Sequence, residues 1–254
     1  MREDHSHLTR RKFMRWVLAN AAGVCVGSLS AWGKFAEQSE PSLPDNLEEY
    51  DWGFLIDISR CIGCGRCVAA CNQENHLSAN HFRTWIERYE IDEQNRVYID
   101  SPRGAVRGFL SNRRKTSVKG YFVPKQCHQC RDSACTQVCP VGATYHAPDG
   151  VVLIDQEQCI GCGYCVQACP YGCRYIADPP GVADKCDMCY HRIHQNQKPV
   201  CVDFCPTHAR IFGNLKDPQS PIRQILRKRH YTTLKPENKT DPKCFYLDLN
   251  PEVK

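Results

Sequence analysis

The chain has 254 residues, 19 of them cysteine, and a formal net charge of +5 at neutral pH. Residues 1–33 carry +3 of this charge, so the remainder is nearly balanced, whereas a nucleic-acid-binding protein would carry a strong basic excess. A chain of this length can bury a substantial core, which argues against a small domain held together by disulfides.

Residues 1–33 have the pattern of an export signal. Arg10 and Arg11, in the run TRRKFM, precede an uncharged stretch from Trp16 to Gly33, and together they resemble a twin-arginine signal. Export in the folded state would protect thiols from oxidation outside the reducing cytoplasm. The segment therefore predicts a periplasmic protein, cleaved near Ala31 or near Lys34. The alternative is retention as a membrane anchor, because the stretch approaches spanning length, although its many small residues make it weakly hydrophobic.

Residues 34–51 are predicted to be a linker because they are acidic and contain Pro41 and Pro44. A strand is predicted from Trp52 to Ile58. The first cysteine group follows with the spacing C-x2-C-x2-C-x3-C, a run typical of iron-sulfur ligands. Its members are Cys61, Cys64, Cys67 and Cys71.

Residues 72–126 separate the first cysteine group from the second. Arg83 to Ile91 and Arg96 to Asp100 are predicted to form a β-hairpin. Its aromatic residues are expected in the core, with partner contacts as the alternative; they are Trp85, Tyr89 and Tyr98. From Arg103 to Lys125 there are seven Lys or Arg residues and no acidic residue. This stretch is either a solvated loop or a docking surface for an acidic partner.

Residues 127–173 contain two cysteine groups, a turn at Asp149-Gly150 and a predicted strand from Val151 to Ile154. Ile56-Asp57 and the CIGCG run after it recur 98 residues later, so the chain repeats one unit. The segment resembles a bacterial two-cluster ferredoxin, which is a small α+β unit. The two groups are Cys127, Cys130, Cys135 and Cys139, and Cys159, Cys162, Cys165 and Cys169.

The fourth group lies in residues 174–213 and consists of Cys186, Cys189, Cys201 and Cys205. Residues 52–71 and 174–213 look like the halves of a second module, which gives an α+β fold with one ferredoxin-like module inserted within the other. Residues 214–254 are predicted to contain a helix after Ser220-Pro221, with Ile222, Ile225 and Leu226 on one face. The tail from Tyr231 is expected to wrap the surface.

The spacing of these sixteen cysteines favours iron-sulfur clusters over other uses of cysteine. A C-x2-C-x2-C loop can wrap three thiolates around one cluster, and the Cys-Pro that ends three of the groups can supply a fourth to another cluster. The first group has Asn72 in place of the proline. Disulfides fit such close triplets poorly, zinc prefers paired C-x2-C knuckles, and no C-x-x-C-H haem motif occurs.

Four groups in this order, with C-x2-C-x4-C-x3-C-P second and C-x2-C-x11-C-x3-C-P fourth, resemble the iron-sulfur (beta) subunits of one family of complexes. This family includes dimethyl-sulfoxide reductase, polysulfide reductase and nitrite-reductase-associated complexes. The resemblance covers nearly all of Trp52 to Gly213. The export signal, together with Leu234 to Asn238 and Phe245 to Leu247, is similar to the tetrathionate reductase branch.

The resemblance implies four 4Fe-4S clusters with ligands shared between the groups. Cys173 and Cys244 are then left over and are expected to be small buried residues. The implied ligands are Cys61, Cys64, Cys67 and Cys205 for cluster 1, Cys71, Cys186, Cys189 and Cys201 for cluster 2, Cys127, Cys130, Cys135 and Cys169 for cluster 3, and Cys139, Cys159, Cys162 and Cys165 for cluster 4.

The resemblance also implies a non-catalytic electron-transfer subunit of an oxidoreductase complex in anaerobic respiration. Cluster 1 would face a periplasmic catalytic subunit, and cluster 4 would face an integral membrane subunit that exchanges electrons with quinone. The catalytic partner could be a molybdopterin reductase of an oxidised sulfur compound such as tetrathionate, thiosulfate or polysulfide, or a multihaem cytochrome. A zinc-binding structural adaptor is the alternative function. A stand-alone enzyme is disfavoured because no nucleophile, base pair or nucleotide-binding loop accompanies the cysteines.

One charged residue lies inside the first cysteine loop. Arg66 is predicted to favour the reduced form of its cluster and so to raise the reduction potential. The alternative is a solvent-facing cation without redox effect.

Overall fold

The structure, a computed structural model, describes residues 46–109 and 117–253. The predicted export signal, most of the linker and the centre of the basic stretch lie outside these residues. None of the helices in the described ranges is both long enough and apolar enough to cross a membrane.

The described ranges contain both helices and strands, and most of these elements are short. The strands are β1 (Trp52–Asp57), β2 (Thr84–Asp92), β3 (Val97–Asp100), β4 (Ser117–Gln126), β5 (Thr144–His146), β6 (Val152–Ile154), β7 (Tyr175–Ala177), β8 (Val182–Asp184), β9 (Arg210–Asn214) and β10 (Cys244–Leu247). The α-helices are α1 (Arg66–Glu74), α2 (Ala134–Gln137), α3 (Tyr164–Ala168), α4 (Tyr190–Ile193), α5 (Val200–Asp203) and α6 (Pro221–Lys228). Short 3-10 turns span Leu47–Glu49, Ile58–Arg60, Pro102–Ala105 and Pro236–Asn238.

The predicted first strand, β1, is the middle strand of a three-stranded sheet with the order β10-β1-β9. It pairs in parallel with β10 and antiparallel with β9, so that Phe54 lies opposite both Cys244 and Phe212. Phe54, Leu55 and Ile56 are fully buried, because both faces of the sheet are covered. The expectation that the tail wraps the surface is wrong, because β10 belongs to this sheet.

The predicted hairpin is confirmed as β2 and β3, which pair antiparallel, but the sheet has a third strand. β4 pairs with the other side of β2. The pattern of β4 is obscured by Gly120 and Pro124, and a proline fits a strand that pairs on one side only. Tyr89 is buried and stacks on Tyr121 with the ring centroids 5.3 Å apart, whereas Trp85 and Tyr98 are half-buried.

Helix α6 begins after Ser220, as predicted. Ile222 is fully buried against Leu55, Leu215 and Leu247, and Ile225 and Leu226 cover the edge of the same apolar cluster. The helix thus covers the sheet that carries β1.

Two packing contacts bring the cysteine groups together. Helix α1, in the first group, packs on α5, in the fourth group, next to the β1–β9 pairing. Helix α2, in the second group, packs on α3, in the third. Segments far apart in sequence therefore meet at their cysteines.

Candidate metal centres

The first centre is a cavity lined by four cysteines, two from the loop after β1, one from the first turn of α1 and one from the turn after α5. Glycines shape this loop. Gly65 has φ +74°, and a Cβ there would lie 2.1 Å from the Ala105 carbonyl oxygen, so no other residue fits without displacing the backbone. The cysteines are Cys61, Cys64, Cys67 and Cys205, and Arg210 also lines the cavity.

A second cavity has the same design and is lined by residues of the loop after β4, of α2 and of the loop after α3. Two residues of its wall are aromatic: the rings of His128 and Tyr171 stack with centroids 3.9 Å apart. Arg174 and Thr240 also line it. Its four cysteines are Cys127, Cys130, Cys135 and Cys169.

Four more cysteines lie where α1 packs on α5. Burial raises the pKa values of Cys71 and Cys186 well above that of a free thiol, and each is raised further by Cys201. Cys71 and Cys189 share one buried apolar cluster with Val200. Cys71, Cys186, Cys189 and Cys201 therefore act on one another at close range.

The remaining four cysteines lie around α2 and α3 and are less buried. Cys162 is exposed, Cys139 and Cys159 are half-buried, and Cys165 is buried in α3. The Cys139 pKa is lowered because hydrogen bonds from backbone N–H groups, including that of Thr144, outweigh burial. The Ala183 N–H donates to Cys159 Sγ at 3.4 Å.

The donor set suits iron-sulfur clusters. In a cubane each iron takes one thiolate, so the four sulfurs surround a cavity, whereas a single zinc ion needs all four within about 2.3 Å of one point. In the described part of the chain, no three His, Cys, Asp or Glu side chains are gathered closely enough to hold one metal ion. Each cavity also has a buried donor without a protein partner, Nε of Arg210 in the first and Nη2 of Arg174 in the second.

Comparisons with known proteins agree with this chemistry. Two family models described as 4Fe-4S dicluster domains match residues 60–143 and 118–215. The B subunit of tetrathionate reductase from Salmonella typhimurium is 35% identical over 89% of this chain and 86% of its own length. Its counterpart from Archaeoglobus fulgidus is 41% identical over 77% and 81%. The B subunit of anaerobic dimethyl sulfoxide reductase from Escherichia coli is 37% identical over 70% and 77%.

The chain belongs to this family of iron-sulfur B subunits. The predicted family is thereby confirmed, as are ferredoxin-like dicluster domains with mixed helix and strand content. The two models together span all sixteen cysteines.

Besides the sixteen cysteines and Cys25, which lies in the predicted export signal, the chain has two more, and both are buried in this iron-sulfur protein, as expected. Cys173 is 3% exposed and Cys244 is 1% exposed. Cys173 Sγ donates to the Gln126 carbonyl oxygen at 2.9 Å, and Cys244 is the first residue of β10.

Sequence reasoning selected Arg66 as the cation beside a cluster, but its side chain is exposed. The cations that line the two cavities are Arg210 and Arg174, which are 2% and 4% exposed. A signal for them exists in the sequence, because each follows a Cys-Pro pair at the same distance.

Proposed function

We propose that the chain is an electron-transfer subunit that relays single electrons through four 4Fe-4S clusters between an integral membrane quinone-interacting subunit and a periplasmic catalytic subunit. The observation that carries this proposal is the pair of cavities, each lined by four cysteines from separate segments of the chain. When bound, each cluster would supply a carrier for one electron without rearrangement of covalent bonds.

The proposed ligand sets of clusters 1 and 3 are the cysteines that line the two cavities. For cluster 2, the support is the mutual electrostatic influence of the four thiols between α1 and α5. For cluster 4, the support is the packing of α2 on α3. The proposed ligands of this cluster are Cys139, Cys159, Cys162 and Cys165.

The proposed domain arrangement has residues 52–71 and 174–213 as one module and residues 127–173 as the module inserted within it. The β1–β9 pairing supports the first module, and the packing of α2 on α3 supports the second. Residues 72–126, with the hairpin and the basic stretch, and residues 214–254, with the C-terminal helix and tail, lie outside both modules.

The chain's own residues support a path between the modules. Cys186, a proposed ligand of cluster 2, shares a buried apolar cluster with Cys127, a proposed ligand of cluster 3. Cys173 is the third buried member of that cluster. We propose that an electron passes from one module to the other across this buried contact.

Exposed apolar side chains support partner surfaces beside the proposed clusters 1 and 4. Ile62 and Phe204 are 58% and 57% exposed next to the first cavity, and Ile160 and Tyr164 are 64% and 58% exposed beside Cys162. A contiguous exposed apolar patch marks a surface that a partner protein covers, and we propose that these side chains belong to two such patches. We assign the first surface to the catalytic subunit and the second to the membrane subunit.

The substrate of the complex is proposed to be an oxidised sulfur compound such as tetrathionate, thiosulfate or polysulfide. This rests on the names of the relatives and on the C-terminal resemblance, and it favours a molybdopterin reductase as the catalytic partner over a multihaem cytochrome.

The periplasmic location rests on the twin-arginine pattern. Replacing Arg10 and Arg11 with lysine and locating the protein by cell fractionation tests it, since the variant should stay in the cytoplasm.

Anaerobic purification tests the central proposal. The protein should be brown, contain about sixteen irons per chain, and give paramagnetic signals from several interacting clusters on reduction. Colourless protein that contains zinc and gives no such signal would instead support a structural adaptor. Purification of the complex under the same conditions identifies the two partner subunits.

A further inference from the structure

The chain places one arginine at the same distance after two of its Cys-Pro pairs. Arg174 follows Cys169-Pro170, and Arg210 follows Cys205-Pro206, with three residues between proline and arginine in both. Both side chains are buried. At the third Cys-Pro pair, after Cys139, this position is Thr144, and Thr144 Oγ1 accepts a hydrogen bond from Arg174 Nη1 at 3.1 Å.

Arg210 lies in the wall of the first cavity, held by uncharged partners. Its Nη2 donates to Thr84 Oγ1 at 2.7 Å, and its Nη1 donates to Gln126 Oε1. Its Nε is buried without a partner. The thiols that act on it electrostatically are Cys61 and Cys67, of the first cavity, and Cys201, between α1 and α5.

Arg174 has the equivalent place in the second cavity. Its Nη2 is buried without a partner. The thiols that act on it are Cys135 and Cys127, which line that cavity, and Cys165 in α3. Each arginine therefore interacts electrostatically with cysteines of two proposed clusters.

Neither arginine forms an ion pair with Asp or Glu within residues 46–109 and 117–253. An unpaired charge in the protein interior is very costly, so a buried guanidinium needs a compensating negative charge. Four thiolates around a 4Fe-4S core carry about two net negative charges when oxidised and about three when reduced. A cluster in each cavity would provide the missing counter-charge.

We propose that Arg210 and Arg174 are paired redox-tuning residues, with Arg210 raising the reduction potentials of clusters 1 and 2 and Arg174 raising those of clusters 3 and 4. The inference rests on the proposed function, since it requires the clusters. Reduction adds one electron to a cluster and neither makes nor breaks a covalent bond. The nearby buried cation stabilises the added negative charge, more strongly than it would in water. The guanidinium keeps its protons throughout.

Redox titration of the assembled complex, followed by electron paramagnetic resonance, tests this inference. Arg210→Gln should lower the midpoint potentials of two clusters, and Arg174→Gln should lower those of the other two. Lysine at either position keeps the charge and should restore most of the loss. The matched control is Arg66→Gln, because Arg66 lies in a cluster loop but is exposed; it should leave all four potentials unchanged.

Unchanged potentials in a fully loaded Arg210→Gln or Arg174→Gln complex would overturn the inference, as would a shift of the same two clusters by both variants. If the glutamine variants lose iron, the wild-type complex provides the test. Arginine labelled with 15N in the guanidinium should give a weak nuclear coupling in pulsed resonance spectra of the reduced clusters, and its absence would overturn the inference. A wild-type protein without any cluster signal would instead refute the proposed function.

Discussion

Arg83 and Asp184 form a two-point ion pair, with Nη2 of the arginine 2.8 Å from Oδ1 and Nε 3.0 Å from Oδ2. The side chains are only 12% and 9% exposed, and Asp187 adds a second carboxylate 3.1 Å from Nη1. Arg83 directly precedes β2, whereas Asp184 ends β8. One guanidinium therefore fixes the three-stranded hairpin sheet to the segment that enters the fourth cysteine group.

Replacing Arg83 with alanine should destabilise the protein by about 3 kcal/mol, because two largely buried carboxylates lose their counter-charge. The thermal unfolding midpoint of the cluster-loaded protein, measured anaerobically, should fall by roughly 2–4 °C per kcal/mol. Arg60→Ala is the control, since Arg60 is 54% exposed and lies 3.8 Å from its carboxylate partner. An equal effect of the two variants would contradict the structural role of the ion pair.

Replacement by alanine should have different effects on stability and iron content at two glycines that occupy equivalent positions of the repeat. Gly65 and Gly163 each precede a cysteine-bearing helix and have φ values of +74° and +76°. A Cβ at Gly163 meets nothing within 4 Å, so Gly163→Ala should cost only the backbone strain of about 1–2 kcal/mol. Gly65→Ala adds a clash with the Ala105 carbonyl and should lose iron as well. Iron content and unfolding midpoints of the two variants check this, and equal losses would count against the described loop geometry.

The two spare cysteines should be dispensable for iron binding. Cys173→Ala and Cys244→Ala should keep the full iron content, because both residues lie outside the proposed ligand sets. Cys130→Ala removes a thiol that lines the second cavity and should lose between one and about four irons. Iron analysis of anaerobically purified protein decides the matter. Loss of iron from Cys173→Ala alone would mean that cluster 3 uses this thiol.

Lys243 should make stability depend on pH in the alkaline range. Its side chain is fully buried, with Nζ 3.0 Å from Asp51 Oδ1, and burial lowers its pKa below the ordinary 10.5 despite the attraction of Asp51. In the window between the folded and unfolded pKa values, the unfolded chain binds more protons, so stability increases as the pH rises.

Unfolding midpoints of wild type and Lys243→Met between about pH 8 and about pH 10 measure this effect. The advantage of the wild type should grow with pH. Asp51 remains paired in the variant, because Arg131 Nη2 lies 2.6 Å from its other carboxylate oxygen. Lys198→Met, at an exposed position, should follow the wild-type profile. A constant difference between wild type and Lys243→Met would show that Lys243 does not cause the dependence.

Local patterns in the sequence were sufficient for the cysteine groups, for β1 and for the β2–β3 hairpin. Spacing and alternation are properties of neighbouring residues, so these elements can be recognised without the fold. β10 has only four residues, and its partner β1 is almost 200 residues away. No local pattern encodes such a pairing.

The choice of Arg66 shows the same limit. Proximity in sequence pointed to the arginine inside the cysteine loop, but the fold turns that side chain to solvent. Arg210 reaches the first cavity from β9 and is buried there. Because arginine is seldom fully buried, composition gives no reason to expect this placement. The repeated distance from Cys-Pro to arginine was the available clue.

The position of β1 between β9 and β10 has a consequence for biosynthesis. A ribosome completes Trp52–Asp57 long before it reaches Leu247. For most of translation, β1 therefore has neither β9 nor β10 to pair with. The first cysteine loop, which directly follows β1, acquires its final support only once both late strands have emerged. A cluster held by this loop would therefore find a finished site only near the end of synthesis, after the second and third cysteine groups have already been made.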